Sequence, residues 1–246
     1  MNKPLLFAAN WKMQVTPHEA LTFLDTFLAR HEPSAERTVA FFPSAVSIAT
    51  VASRLTNHPE VLVGAQDVHW EPKGAFTGAT SVPLAMGAGA TAALIGHSER
   101  RHVFGETDAE THRKVRAVLD GGMLAMLCVG EKLEEREAGN TAAVVERQLR
   151  AGLAGVSSSA SLVIAYEPVW AIGTGKNATP DDANAVHATI RTVLASLGLP
   201  ATTRVLYGGS VKIENAAELV AQPEIDGVLV GGASLDPEGW ARICSP

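Results

Sequence analysis

Short apolar runs recur along the chain at Leu5–Asn10, Thr38–Phe42, Val61–Ala65, Ala92–Ile95, Leu124–Val129, Leu162–Tyr166, Arg204–Tyr207 and Gly227–Val230. Each is long enough for one buried strand and too short for a helix. Between them, helical spacing of apolar positions predicts helices over Pro17–Arg30, Ala45–Leu55, Val82–Gly87, Asp108–Asp120, Asn140–Leu153, Pro180–Leu197, Ile213–Ala221 and Pro237–Ile243. Strand–helix units repeating every ~25–35 residues predict parallel βαβ architecture. No composition shift or long Pro/Ser linker divides the chain, so residues 1–246 are read as one domain. Eight units in this length match a single-domain (β/α)8 barrel better than an open doubly wound sheet. The open sheet would want a G-x-G-x-x-G turn after its first strand, and Asn10-Trp11-Lys12-Met13 is not one.

In such a barrel, polar residues at the C-terminal ends of strands converge on one mouth. The first strand ends in Asn10 and Lys12, the fourth in His97 and Glu99, and the fifth in Cys128. The sixth ends in Glu167, the seventh in Tyr207-Gly208-Gly209-Ser210 and the eighth in Gly231-Gly232. The sixth end organises the rest. Pro168 biases Glu167 towards extended geometry, which holds the carboxylate at the strand tip. The loop 168–176 mixes bulky Val169, Trp170 and Ile172 with Gly173, Thr174 and Gly175, a composition suited to a lid that excludes water and offers backbone N–H groups to an anion. Thr179 and Pro180 then supply an N-cap and a first helical residue.

Each of these residues has an ordinary reading as well. A Glu in a loop is usually a solvated carboxylate, but an apolar cover over Glu167 would desolvate it and raise its basicity, as a catalytic base requires. A His after a strand is usually structural; Ser98 and Glu99 mark a helix start whose positive end would lower the imidazole pKa and keep His97 a neutral donor. Lys12 is either a surface lysine or, at a strand end, an ammonium aimed into the mouth. The Gly pairs are tight turns, and such turns also leave N–H groups free for phosphate. Cys128 follows Ala125-Met126-Leu127 and is read as a buried, inert thiol rather than a nucleophile. The run Glu131–Gly139 is read as a solvated helical face without chemistry.

Composition narrows the partners. A formal charge of -6 and a pI near 5.8 leave no bulk basic field for nucleic acid or an anionic membrane, so anion binding must be local. No apolar run approaches the ~18 residues of a membrane span. The N-terminal segment is too short in its apolar part for a signal peptide, and Cys128 and Cys244 give no disulfide framework, so the expected location is cytoplasmic.

AANWKM (Ala8–Met13), GHSERR (Gly96–Arg101), LCVGE (Leu127–Glu131), YEPVWAIGTGK (Tyr166–Lys176), YGGSVK (Tyr207–Lys212) and LVGGASL (Leu229–Leu235) together resemble the triosephosphate isomerase family, in that family's order along essentially the whole chain. The resemblance implies interconversion of dihydroxyacetone phosphate and glyceraldehyde 3-phosphate, a step of glycolysis and gluconeogenesis, without cofactor or metal. It implies Glu167 as the base acting through an enediol(ate), His97 as a neutral electrophile and Lys12 as the cation beside the substrate, with Asn10 as a polar neighbour and Glu99 close to Lys12. Gly173, Ser210, Gly231 and Gly232 would give backbone N–H groups to the phosphate, under the lid 168–176. It also implies a homodimer in which loop Gln66–Thr80 places Thr77 beside a second subunit's active site. Two positions depart from the family. Gln14-Val15 stand where Asn-Gly is common, and Ala79 where a Glu is expected to pair with Arg100 across the interface. Arg100 is therefore expected to find another partner or face water, and Ala79→Glu to tighten the dimer slightly. Two rivals remain at this level. A Schiff-base aldolase would need a buried strand lysine, and a non-catalytic phosphosugar-binding barrel would not need both Glu167 and His97.

Overall fold

The apolar runs form the strands β1 (Leu5–Asn10), β2 (Arg37–Phe42), β3 (Val61–Ala65), β4 (Ala92–Ile95), β5 (Leu124–Val129), β6 (Leu162–Tyr166), β7 (Arg204–Tyr207) and β8 (Gly227–Val230). All pair in parallel with their sequence neighbours, and β8 pairs with β1 to close a barrel. The computed structural model describes residues 4–171 and 178–246. The helices are α1 (Pro17–Leu28), α2 (Ile48–Arg54), α3 (Val82–Gly87), α4 (Ser98–His102), α5 (Asp108–Asp120), α6 (Leu133–Glu137), α7 (Thr141–Gly152), α8 (Pro180–Ser196), α9 (Ile213–Val220) and α10 (Pro237–Ile243). The protein is a single-domain (β/α)8 barrel. Element ends follow local chemistry. Thr16 with Glu19 and Thr107 with Glu110 form capping boxes that start α1 and α5, and Thr179 caps α8 ahead of Pro180.

Strand side chains alternate between two buried layers. Leu6, Ala8, Phe42, Leu94, Met126 and Ala165 fill the barrel interior, while Phe7, Ala9, Phe41 and Ile164 pack outward against the helices. Large and small residues interdigitate inside: a Cβ on Gly64 would run into the Phe42 ring. The barrel is thus a packed core, and chemistry is confined to its rim.

The long connection between β3 and α3 is ordered by its own contacts. His69 stacks on Trp70 and packs against Phe76, each at 4.2 Å between ring centroids, and His69 N–H donates to Thr80 O across the base at 2.8 Å. Phe76 packs against His69 within its own loop and still keeps part of its ring exposed. Arg100 also finds its partners inside the subunit: Asp67 at 3.2 Å, Glu106 at 3.5 Å and the Phe104 ring at 4.4 Å. Ala79 therefore does not strand this guanidinium. Val15 takes φ 63, in the left-handed region that the family's glycine suits and a β-branched residue resists.

Candidate active site

The first strand delivers a lysine on a strained backbone. Lys12 has φ 53, and the turn is pinned by its own N–H donating to Asn10 Oδ1 (3.0 Å) and its carbonyl accepting from Gln66 Nε2 (2.7 Å). Its ammonium pairs with Glu99 Oε1 at 2.7 Å, which places Glu99 beside Lys12 as the resemblance implies. After β4, Gly96 turns the chain at φ 68, and His97 becomes the N-cap of α4. His97 Nδ1 accepts from Glu99 N–H at 3.2 Å, which leaves Nε2 to carry the ring proton towards Glu167 Oε1 at 3.0 Å. Glu167 Oε2 accepts from Ser98 N–H at 2.8 Å. The predicted base and electrophile, 70 residues apart in sequence, are therefore in direct contact.

Their electrostatics differ from the sequence expectation in sign. Burial is the largest influence on Glu167 and pushes its pKa up, but His97, the Ser98 N–H and Lys12 outweigh it, so the carboxyl sits below its ordinary value. Burial likewise pulls His97 down, yet Glu167 and Glu99 lift the imidazole above its ordinary value despite its place at a helix start. The cause in both cases is their mutual pairing, which the sequence reading did not include. Trp170 donates its indole N–H to Glu131 at 2.8 Å.

Asn10, Lys12, His97, Glu167, Ser210, Gly231 and Gly232 all line one cavity of ≈ 270 Å³ at the C-terminal mouth. Among the described residues, the N–H groups of Ser210, Gly231 and Gly232 meet no backbone acceptor. The rim closes in around two of its glycines. A Cβ on Gly208 would lie 2.9 Å from Glu167 Cγ, and one on Gly231 3.0 Å from Lys12 Cε. Gly173 and the remainder of the segment 172–177 lie outside the described residues, while Val169–Ala171 forms a 3-10 turn at the start of the expected lid. Cys128 is fully buried, and burial first, with Glu167 nearby, pushes its thiol well up, consistent with an inert thiol.

Glu131 is the residue that sequence reasoning misjudged. It is fully buried rather than solvated, and its carboxylate accepts from Tyr166 Oη at 3.1 Å and from Trp170 Nε1. Its main-chain oxygen accepts from Val169 N–H at 3.1 Å. The signal available was its place two residues after β5; the charge run that follows it concealed that position. Among the described residues, no group of three His, Cys, Asp or Glu side chains is arranged to hold a metal ion.

A closed parallel barrel with a carboxylate–imidazole pair, a lysine and glycine turns at its C-terminal mouth defines a barrel enzyme that works on small molecules at that rim. Comparison with known proteins narrows the class. Residues 5–246 match the family model described as triosephosphate isomerase. The chain is 49% identical to a triosephosphate isomerase of Symbiobacterium thermophilum, covering 100% of this chain and 97% of the relative. It is 47% identical to that of Aquifex aeolicus (97% of both chains) and 48% identical to that of Moorella thermoacetica (99% and 98%). The chain belongs to the triosephosphate isomerase family and is an isomerase.

Proposed function

We propose that this chain interconverts dihydroxyacetone phosphate and glyceraldehyde 3-phosphate, with Glu167 as the proton carrier and His97 as the electrophile. The observation that carries this reading is the 3.0 Å contact between His97 Nε2 and Glu167 Oε1 in the cavity that also holds Lys12 and the glycine turns. A phosphate at Ser210, Gly231 and Gly232 would be held by backbone N–H groups. The substrate carbonyl would then take the Nε2–H of His97, with Lys12 opposing the anion. Glu167 gives up His97 and Ser98 in that exchange, so the burial they had outweighed raises its basicity when it must act. It removes a proton from C1 or C2, and the oxygen charge of the enediol(ate) falls on His97 and Lys12. His97 gives its Nε2 proton to the former carbonyl oxygen and takes the proton of the other hydroxyl, and the carboxyl returns its proton to the neighbouring carbon. Gly173 is proposed to add a phosphate contact from the lid 168–176, Asn10 to orient Lys12, and Glu99 to hold Lys12 while the site is empty.

Glu167→Gln keeps the shape of the site and removes the proton acceptor. Turnover in a coupled assay is expected to fall by ~10²–10⁴ with phosphate-ligand binding retained. Near-normal turnover would remove Glu167 from its role. Deuterium uptake from solvent into bound substrate separates this reading from a non-catalytic phosphosugar barrel, and the absence of a borohydride-trapped adduct separates it from an aldolase. Glu167, and not a lysine, at the end of β6 favours the isomerase over the aldolase.

A homodimer in the cytoplasm completes the proposal. Met13, Val46, Val103 and Phe104 are strongly exposed, and Met13 and Phe104 border a groove of ≈ 500 Å³ that also reaches Lys12. The ordered, aromatic loop 66–80 of a second copy is a fitting occupant, and covering those side chains would remove apolar surface from water. No described helix is long and apolar enough to cross a membrane.

A further inference from the structure

His97 must point Nε2 in one direction both while Glu167 holds it and after Glu167 has let go. Its backbone therefore needs support that does not pass through the substrate. The Gly96 peptide just before it has both polar groups pinned. Its N–H donates to Glu106 Oε1 at 3.1 Å, and its carbonyl accepts from Arg101 Nε at 2.7 Å. The Arg101 side chain is only 6% exposed and does not line the cavity. Its Nη2 reaches the Cys128 carbonyl on β5 at 3.3 Å, and its Nη1 pairs with Asp108 Oδ1 at 2.7 Å. Asp108 is held in turn by Arg147. The rigid guanidinium fork thus ties the turn after β4 to the end of β5, with Asp108 balancing its charge. The fit is close: a Cβ on Gly96 would lie 2.7 Å from Arg101 Nη2.

We propose that Arg101 is a positioning residue for the isomerisation, fixing the Gly96 carbonyl and through it the direction in which His97 presents Nε2 to the substrate. This rests on the electrophilic role of His97 given above. Small displacements of a catalytic group cost large factors in rate, on the order of 10²-fold for 1 Å. Arg101→Ala is expected to lower kcat at least tenfold with KM changed by less than about threefold, because the phosphate turns of β7 and β8 are untouched. Guanidinium ion added to the variant should restore much of the loss, whereas Arg101→Lys, lacking the fork, should restore little.

The decisive measurement is a double-mutant cycle with His97→Gln. If Arg101 acts through His97, Arg101→Ala costs much less in the His97→Gln background than in the native one. Full additivity, or unchanged kcat in folded Arg101→Ala, would overturn the proposal. Normal turnover in His97→Gln alone would instead remove the role of His97, an outcome distinct from failure of the Arg101 arm. If Arg101→Ala does not fold, Asp108→Asn, which weakens the anchor of the same guanidinium, takes its place in the cycle under the same criteria.

Discussion

At the scale of single residues, the sharpest consequences come from groups whose partners oppose their burial, or fail to. Glu167 and His97 show the first case: pairing reverses the shifts that burial alone would give. His187 on α8 shows the second. It is fully buried, Nδ1 lies 3.2 Å from Glu224 O, and burial pulls its pKa down to about 4. Below the unfolded value of 6.5 the unfolded chain takes up a proton that the folded chain refuses. The contribution to stability is therefore complete above pH 6.5 and is lost as pH falls towards 4, about 3 kcal/mol in all. His187→Gln removes this titration. Urea unfolding of the variant is expected to show a smaller loss of stability between about pH 7 and about pH 4.5 than the native chain, by ~2–3 kcal/mol. An equal loss in both would show that His187 is not neutral in the fold.

At the scale of elements, the ends of β5 and β6 act as a unit. Glu131 gathers the Tyr166 hydroxyl, the Trp170 indole and the Val169 N–H, and the Arg136 guanidinium lies 4.3 Å from the Trp170 ring centroid. Glu131→Ala would deprive a buried phenol and an indole of their acceptor, at a cost of ~2–4 kcal/mol in equilibrium unfolding. A loss under about 1 kcal/mol would mean that water replaces the carboxylate without penalty. The same elements show what a sequence does and does not disclose. Strand runs such as Leu162–Tyr166 were legible because burial on both faces demands continuous apolar residues, and Thr179-Pro180 marked the start of α8 because a side-chain cap and a fixed φ suit the first helical turn. Convergence of Asn10, Lys12, His97, Glu167 and the Gly pairs followed from the barrel itself. The role of Glu131 was not legible, since its partners lie 35 and 39 residues away and its neighbours form a charge run. The pKa directions of Glu167 and His97 were missed for a related reason: they depend on a contact formed only when β4 and β6 meet at the rim.

At the scale of the whole molecule, the proposed dimer would hold without the ion pair that the family resemblance implies. The sequence suggested that Ala79→Glu would tighten the dimer by giving Arg100 a partner. The structure removes the premise, because Arg100 already contacts Asp67, Glu106 and Phe104. Lys114 joins the same network, at 2.6 Å from Asp67 and 2.7 Å from Glu106. Recruiting Arg100 to a new carboxylate would exchange one partly exposed pair for another, a gain of ~0–1 kcal/mol at best. Against that gain stands the pairing already made among the charges of the groove. Asp67, Glu106 and Glu110 line the groove beside Ala79, and burial already pushes the Asp67 carboxyl above its ordinary value. The same groove carries Lys12, Arg100 and Lys114, so a new carboxylate meets charges of both signs already paired with one another, whereas contacts of Met13, Val103 and Phe104 are apolar and nearly indifferent to salt. Sedimentation equilibrium should therefore show a dimer whose dissociation constant changes little with ionic strength in the native chain. In Ala79→Glu the dimer should be no tighter than native, at low salt as at high. A variant dimer that tightens at low salt would show that Arg100 leaves Asp67 for the new carboxylate and that the network beneath the groove is softer than its short contacts indicate.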